Sequence, residues 1–209
     1  MNSVETEVKF HVPDPPAMRA ELLSLGARSL GRSHERNIRF ENEARGLRGA
    51  GSLLRLRRDR KCTLTYKCAP AQADPEFKQL TELEVEVSDF DTMRLILASL
   101  GFHPEQVYDK WRETFVLDHT AFCLDDLPFG SFLEIEGPKE QIRSFAGRIA
   151  LEWGRRILLN YLEIFEIIRA DQDLSFSDVT FANFAGLTLD ITSFLPRIEA
   201  GRPAHPPSV

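Results

Sequence analysis

The chain has 209 residues, 43% of them hydrophobic and 28% charged, which suits one soluble domain with a sizeable core and small appendages. Its formal charge of −6, from 26 basic and 32 acidic side chains, leaves no global positive field for nucleic acid or an anionic membrane, so any anion has to be bound locally. Cys62, Cys68 and Cys123 lie in alternating apolar runs without CxxC spacing, which argues against a disulfide framework and a zinc site. No apolar run approaches the roughly 20 residues of a membrane span, and the first residues lack the basic-then-apolar pattern of a signal peptide. A reducing, cytoplasmic setting is expected.

In chain order, Val4–Phe10 alternates as a strand, with Glu5, Glu7 and Lys9 on one face and Val4, Thr6, Val8 and Phe10 on the other. Asp14-Pro15-Pro16 followed by MRAELLSLG predicts a capped helix stopped by Gly26. Arg36–Asn42 alternates again, and GLRGAGS (46–52) reads as a turn or loop. Leu53–Asp59, with Arg55 and Arg57 on one face, and Lys61–Cys68, with Lys67, form a predicted hairpin. Leu80–Val87 sets Glu82, Glu84 and Glu86 against Leu83, Val85 and Val87. A helix is expected from Asp89 to Leu100, ended by Gly101. Val107–Leu117 returns to strand with Lys110 and Arg112 on one face; Thr120–Asp125 and Ser131–Gly137 then form a hairpin whose last strand carries Glu134 and Glu136. From Pro138 the period turns helical through KEQIRSFAGRIALEWG and RILLNYLEIFEIIRA, predicting two closing helices. The Phe/Ser/Thr-rich segment that follows predicts a short helix or docked loop, and RPAHPPSV a disordered tail. The expected division is a domain over 1–170, a docked extension over 171–200 and a tail over 201–209.

Eight strand candidates in hairpin rhythm, with amphipathic helices able to cover their apolar faces, predict a mainly β, α+β domain whose sheet closes on itself. The charged faces then have two fates, open solvent or a wet lumen. Their composition favours the lumen, because the signs are segregated by strand. Eight carboxylates (Glu5, Glu7, Glu82, Glu84, Glu86, Asp125, Glu134, Glu136) face six cations (Lys9, Arg55, Arg57, Lys67, Lys110, Arg112). Carboxylates two apart on a strand can converge on a hard divalent cation, whose remaining ligands phosphate oxygens can supply. Arginines on neighbouring strands offer bidentate donors to those oxygens. Metal on one wall and phosphate on another is the chemistry of a polyphosphate site. Trp111 and Trp153 are expected between helices and barrel.

The ExExK opening, the RLR strand and its lysine partner, ELEVEV, the KxR strand and the acidic close of Asp125 with Glu134-Ile135-Glu136 together resemble the CYTH domain, the triphosphate tunnel metalloenzymes. The resemblance runs from about Val4 to Ile168. It implies a closed eight-stranded antiparallel β-barrel tunnel with helices packed outside, acting on a small triphosphate-containing substrate with one or two Mg²⁺ or Mn²⁺ ions. It makes Glu5, Glu7, Asp125, Glu134 and Glu136 metal ligands, and Lys9, Arg55, Arg57, Lys67, Lys110 and Arg112 the triphosphate cradle. Lys9 and Glu84 are its catalytic candidates: Lys9 to orient or deprotonate the attacking water or simply to contact phosphate, Glu84 to assist a second metal or orient a cradle cation. Asn37-Ile38-Arg39-Phe40 lacks the second-strand Tyr of some thiamine triphosphatases, which speaks against that specificity. Terminal-phosphate hydrolysis is the first expectation. Class IV adenylyl cyclase activity, from ATP to cyclic AMP and pyrophosphate, is the alternative, and a non-catalytic polyphosphate- or nucleotide-binding module the third. A monomer or homodimer without nucleic-acid or membrane partners is expected.

Overall fold

Strict inside–outside alternation fixes which way each strand can face, and the strands use it to close a ring. The computed structural model describes residues 3–70, 72 and 74–201. These form β1 (Ser3–His11), α1 (Pro15–Ser24), β2 (Arg28–Asn42), α2 (Gly46–Gly49), β3 (Leu53–Arg58), β4 (Cys62–Cys68), β5 (Lys78–Val87), α3 (Phe90–Ser99), β6 (Phe102–Leu117), β7 (Thr120–Leu127), β8 (Gly130–Glu136), α4 (Lys139–Arg148), α5 (Tyr161–Asp171) and α6 (Leu195–Ile198). The eight strands make a closed antiparallel barrel in the order β1-β5-β4-β3-β2-β6-β7-β8 and back to β1. Closure leaves no sheet edge among them.

The apolar outer faces are covered in three places. Val8, Phe10, Phe122, Leu133 and Ile135 pack against Leu22 of α1 and Ile142, Phe145 and Ala146 of α4. Ile38, Phe40 and Leu56 receive Phe90 and Leu97 of α3. Phe129 and Phe132 lie under Ile164, Phe165 and Ile168 of α5, together with Val179, Phe184, Ile191, Phe194 and Leu195 from the segment that follows. Helix starts follow the local chemistry. Asp14 accepts from the Ala17 N–H at 2.9 Å and Asp89 from the Thr92 N–H at 2.7 Å. Asn160 and Glu163 form a reciprocal capping box on α5. Gly137, at φ +156°, joins β8 to α4 where a Cβ would stand 2.9 Å from the His119 carbonyl, so the close approach demands glycine.

Several boundaries differ from the sequence reading. β2 begins at Arg28, eight residues before the expected start, because it runs the length of β6 with irregularities between Ser29 and Arg32 and between Arg39 and Phe40. Gly46–Gly49 coils into one helical turn where a loop is expected. Arg156–Asn160 is not helical: Ile157 bridges Lys9 on one side and Glu199 on the other, donating its N–H to the Lys9 carbonyl at 2.7 Å. The long-range pairing overrides the helical spacing. Trp153 packs on Phe10 and Phe77 as expected of a covering residue. Trp111 instead stays 40% exposed, beside His34 and Arg32. The three cysteines are free thiols. No described helix is long and apolar enough to cross a membrane. The expected tail lies, apart from Gly201, outside the described residues.

Candidate active site

The alternation that sends Val8 and Ile135 outward sends the charges inward, around a cavity of about 1370 Å³. On the acidic wall Glu7 stands directly opposite Glu136, and Lys9 opposite Glu134. Lys9 is only 1% exposed; it bonds Glu7 and lies 3.1 Å from Glu134. Burial opposes its charge, but Glu134 and Glu7 more than offset that and raise its pKa. Lys9 is therefore held as a charged ammonium between the two carboxylates. Lys78 of β5 reaches the same Glu7 oxygen at 3.0 Å, and burial lowers its pKa. Lys67 bonds Glu5 and sits 3.1 Å from Glu82.

The carboxylates divide by their partners. Glu7, despite burial, is held down to about 2 by Lys78 and Lys9. Glu134, also against burial, is held well down by Lys9 and Arg112. Glu136 is pushed up to about 7 by burial and by the nearby charges of Glu5 and Glu7; Glu5 is raised too, by burial first. Among the described residues no three acidic, histidine or cysteine side chains form a preformed cation site, since lysines occupy several of these oxygens. The donor chemistry nonetheless fits a hard divalent cation. Glu5, Glu7, Glu134 and Glu136 all line the cavity and supply only oxygen, and burial together with the charges of Glu5 and Glu7 raises the pKa of Glu136.

The basic side is built from β3 and β6. Lys110 lies 3.0 Å from Asp125 and 3.5 Å from Glu35. Arg112 grips Asp125 through Nε at 2.6 Å and an Nη at 2.5 Å, and also bonds Glu134. The fully buried Asp125 accepts a further bond from the Tyr161 hydroxyl at 2.8 Å. Asp125 lies behind the lining instead of beside the acidic wall, with both oxygens engaged. Its geometry is that of a counter-ion beneath Lys110 and Arg112. Arg55 reaches Thr65 at 3.3 Å and Tyr108 at 3.4 Å, while Arg57 lies 3.6 Å from Glu84. The buried Nε of each arginine has no hydrogen-bond partner. Glu84 accepts from Thr65 at 3.0 Å, so it steadies Arg57 from the next strand but one.

Four participants escape the sequence reading. Lys78 has the parity of Glu82 and Glu84, and extending that alternation two residues back finds it. Glu35 has the parity of Asn37 and is missed with the true start of β2; burial opposes its charge, yet Lys110 and Arg112 hold it down to about 2. Tyr108 shares the parity of Lys110. Tyr161, given no role by the sequence reading, comes in from the start of α5 and sets its ring near both Lys9 and Lys110.

A family model described as the CYTH domain matches residues 3–176. The chain belongs to the CYTH family. A Methanocaldococcus jannaschii relative, MJ0240, provisionally named an adenylate cyclase, is 30% identical over 135 residues, covering 64% of this chain and 76% of the relative. The PH1012 protein from Pyrococcus horikoshii OT3 superposes with a TM-score of 0.66 at 28% identity, covering 76% of this chain and 98% of its own. The HpAC1 protein from Hippeastrum shares the fold at 19% identity and a TM-score of 0.58, with 78% and 95% covered; its structure is described as revealing a dominant triphosphatase activity. CYTH tunnel proteins are generally dependent on a divalent metal.

Proposed function

We propose that this CYTH protein is a Mg²⁺- or Mn²⁺-dependent triphosphatase that releases the terminal phosphate of inorganic triphosphate or of an organic triphosphate. The observation that carries this reading is the pair of half-buried arginines, Arg55 and Arg57, whose buried Nε atoms make no hydrogen bond, that of Arg57 having only the Asp59 carboxylate nearby at 3.7 Å, on the lining of a cavity that also holds the carboxylates of Glu5, Glu7, Glu134 and Glu136. An unpaired buried donor is costly until an acceptor arrives, and phosphate oxygens are acceptors of the right charge. Lys67, Lys110 and Arg112 complete the cradle, with Asp125 and Tyr161 fixing the last two. Lys9, held protonated, contributes charge at the phosphoryl oxygens. Glu5, Glu7, Glu134 and Glu136 would hold the divalent cation, which supplies Lewis-acid charge to phosphate. Catalysis then rests on positioning and electrostatics.

A second reading is favoured by the size of the cavity and by the name of the M. jannaschii relative: cyclisation of ATP with release of pyrophosphate. Product analysis separates the two. Purified protein is given tripolyphosphate, ATP or thiamine triphosphate with each metal, beside Glu5→Gln and Arg57→Ala. Orthophosphate from tripolyphosphate, reduced on the order of a hundredfold in both variants, is the expected result. Cyclic AMP with pyrophosphate would replace this reading with the cyclase; tight binding without any product would leave a binding module.

A further inference from the structure

The outer face of β4 and β5 is left largely without cover, and Leu83 and Val85 belong to none of the three apolar clusters. Leu54, Leu64, Tyr66, Leu83 and Val85 line an open groove there of about 210 Å³. Register makes them neighbours: Tyr66 stands between Leu54 and Leu83, and Leu64 opposite Val85. Leu83 is 48% exposed and Val85 56%. Val4 of β1, 55% exposed and opposite Thr81, continues the face beyond β5. On its other side the groove meets α3, because Leu54 and Leu64 also pack against the cluster that Phe90 and Leu97 complete. That helix and its cap are apolar outward too, with Leu95, Ile96 and Leu100 each between 45% and 68% exposed.

Charge and size together say what can sit on this face. The outward positions of β4 (Cys62, Leu64, Tyr66, Cys68) and of β5 (Thr81, Leu83, Val85, Val87) hold no acidic or basic side chain, in a chain that is 28% charged and carries −6 overall. Two copies repel one another in most orientations, and a neutral face lets them meet without setting like charges together. Nucleic acid or an anionic membrane finds no cation here to pair with. Four neighbouring strands, about 4.8 Å apart and rising about 3.3 Å per residue, give over about six residues a face of roughly 400 Å². The outer side of a ten-residue helix adds roughly 150 Å². With a rim that includes Lys61, Glu86 and Arg94, the face reaches the scale of the roughly 800 Å² that each partner buries in a stable interface.

We infer that the outer face of β4 and β5, with the neighbouring side of α3, seats a second copy of this chain in a two-fold symmetric dimer. Two-fold symmetry sets the same face against itself, so the exposed apolar side chains of both copies leave water together. Glu84 lines the groove as well as the barrel cavity, so a copy seated here lies one strand away from the carboxylate beside Arg57. The inference stands apart from the triphosphatase reading, since Leu83, Val85 and the exposed residues of α3 belong neither to the cradle nor to the acidic wall.

The test is sedimentation velocity of the full-length chain across the micromolar range, comparing wild type with Leu83→Lys, Val85→Lys and, as a control on the outward side of β2, Leu30→Glu. Wild type and the control are expected to sediment as dimers at tens of micromolar. Each lysine variant is expected to sediment as a monomer, its dimer dissociation constant raised on the order of a hundredfold because symmetry buries the new charge twice. Thermal melting of dilute samples shows whether the variants fold. Leu83→Thr, which removes apolar surface without adding charge, gives the same reading if a lysine variant does not. A wild type that stays monomeric at tens of micromolar overturns the inference, whatever else then covers the face. So does a dimer that both lysine variants leave intact, or one that the Leu30→Glu control disrupts equally.

Discussion

Asp109 shows how one side chain can carry a cost unconnected with the tunnel. It faces outward from β6, is 7% exposed, and one of its carboxylate oxygens has no partner. Its backbone N–H donates to the Val179 carbonyl at 2.9 Å, so it lies beneath the segment that follows α5. Burial raises its pKa; Arg36 and His34 pull the other way, and Asp178 adds to the rise. A carboxyl whose pKa is raised by folding binds its proton more tightly in the native than in the unfolded state. Stability is therefore greatest below the ordinary carboxylate range and falls as pH climbs through the raised value. Asp109→Asn removes the charge and keeps the shape. The variant is expected to melt above wild type at pH 7–8, with the gap closing toward pH 4, as scanning calorimetry across that range would show. A gap independent of pH would mean that packing, not ionisation, sets the difference.

At the scale of elements, α5 decides whether the basic wall keeps its geometry, because Tyr161 is its first residue and Asn160 its cap. Asn160→Ala deletes one half of the capping box and should cost about 1 kcal/mol, read as a lower urea midpoint at unchanged slope. Asn160→Asp should restore most of it. The same helix marks a limit of sequence reading. RILLNYLEIFEIIR carries apolar residues at spacings that suit one continuous helix, and periodicity alone cannot separate a buried extended segment from a helical turn. Ile157 is settled by pairing with Lys9 and Glu199, both far away in the chain. The start of β2 is hidden for a different reason: residues 28, 30, 32 and 34 are exposed, so the stretch offers no apolar face to betray its period. The barrel strands were legible because closure enforces alternation along all eight, and Glu5, Glu7, Arg55, Arg57, Lys110 and Arg112 could be assigned inward by parity. Parity says which face a residue takes but not its depth, so the burial of Asp125 beneath Lys110 and Arg112 is not legible from alternation.

For the whole molecule, the segment after α5 is part of the packed structure despite its irregular course. Val179 is fully buried and Ile191, Phe194, Leu195 and Ile198 nearly so, against β6–β8 and α5. Each such side chain contributes on the order of 1.5–3 kcal/mol by burial, and together they rival the roughly 5–15 kcal/mol by which a domain is stable. A chain ending at Gln172 is expected to be insoluble or to lose its cooperative melting transition; a sharp transition within a few degrees of wild type would show the segment to be dispensable. The strand order has a further consequence, in the time domain. β1 is synthesised first, yet its partners are β5 and β8, so Glu7 cannot meet Glu136 until every other strand has left the ribosome. The β3–β4 hairpin and the β6–β7–β8 meander can form locally during translation, while β1 waits with both flanks unpaired. Ring closure and the gathering of the acidic wall are thus one late event, which must await β8.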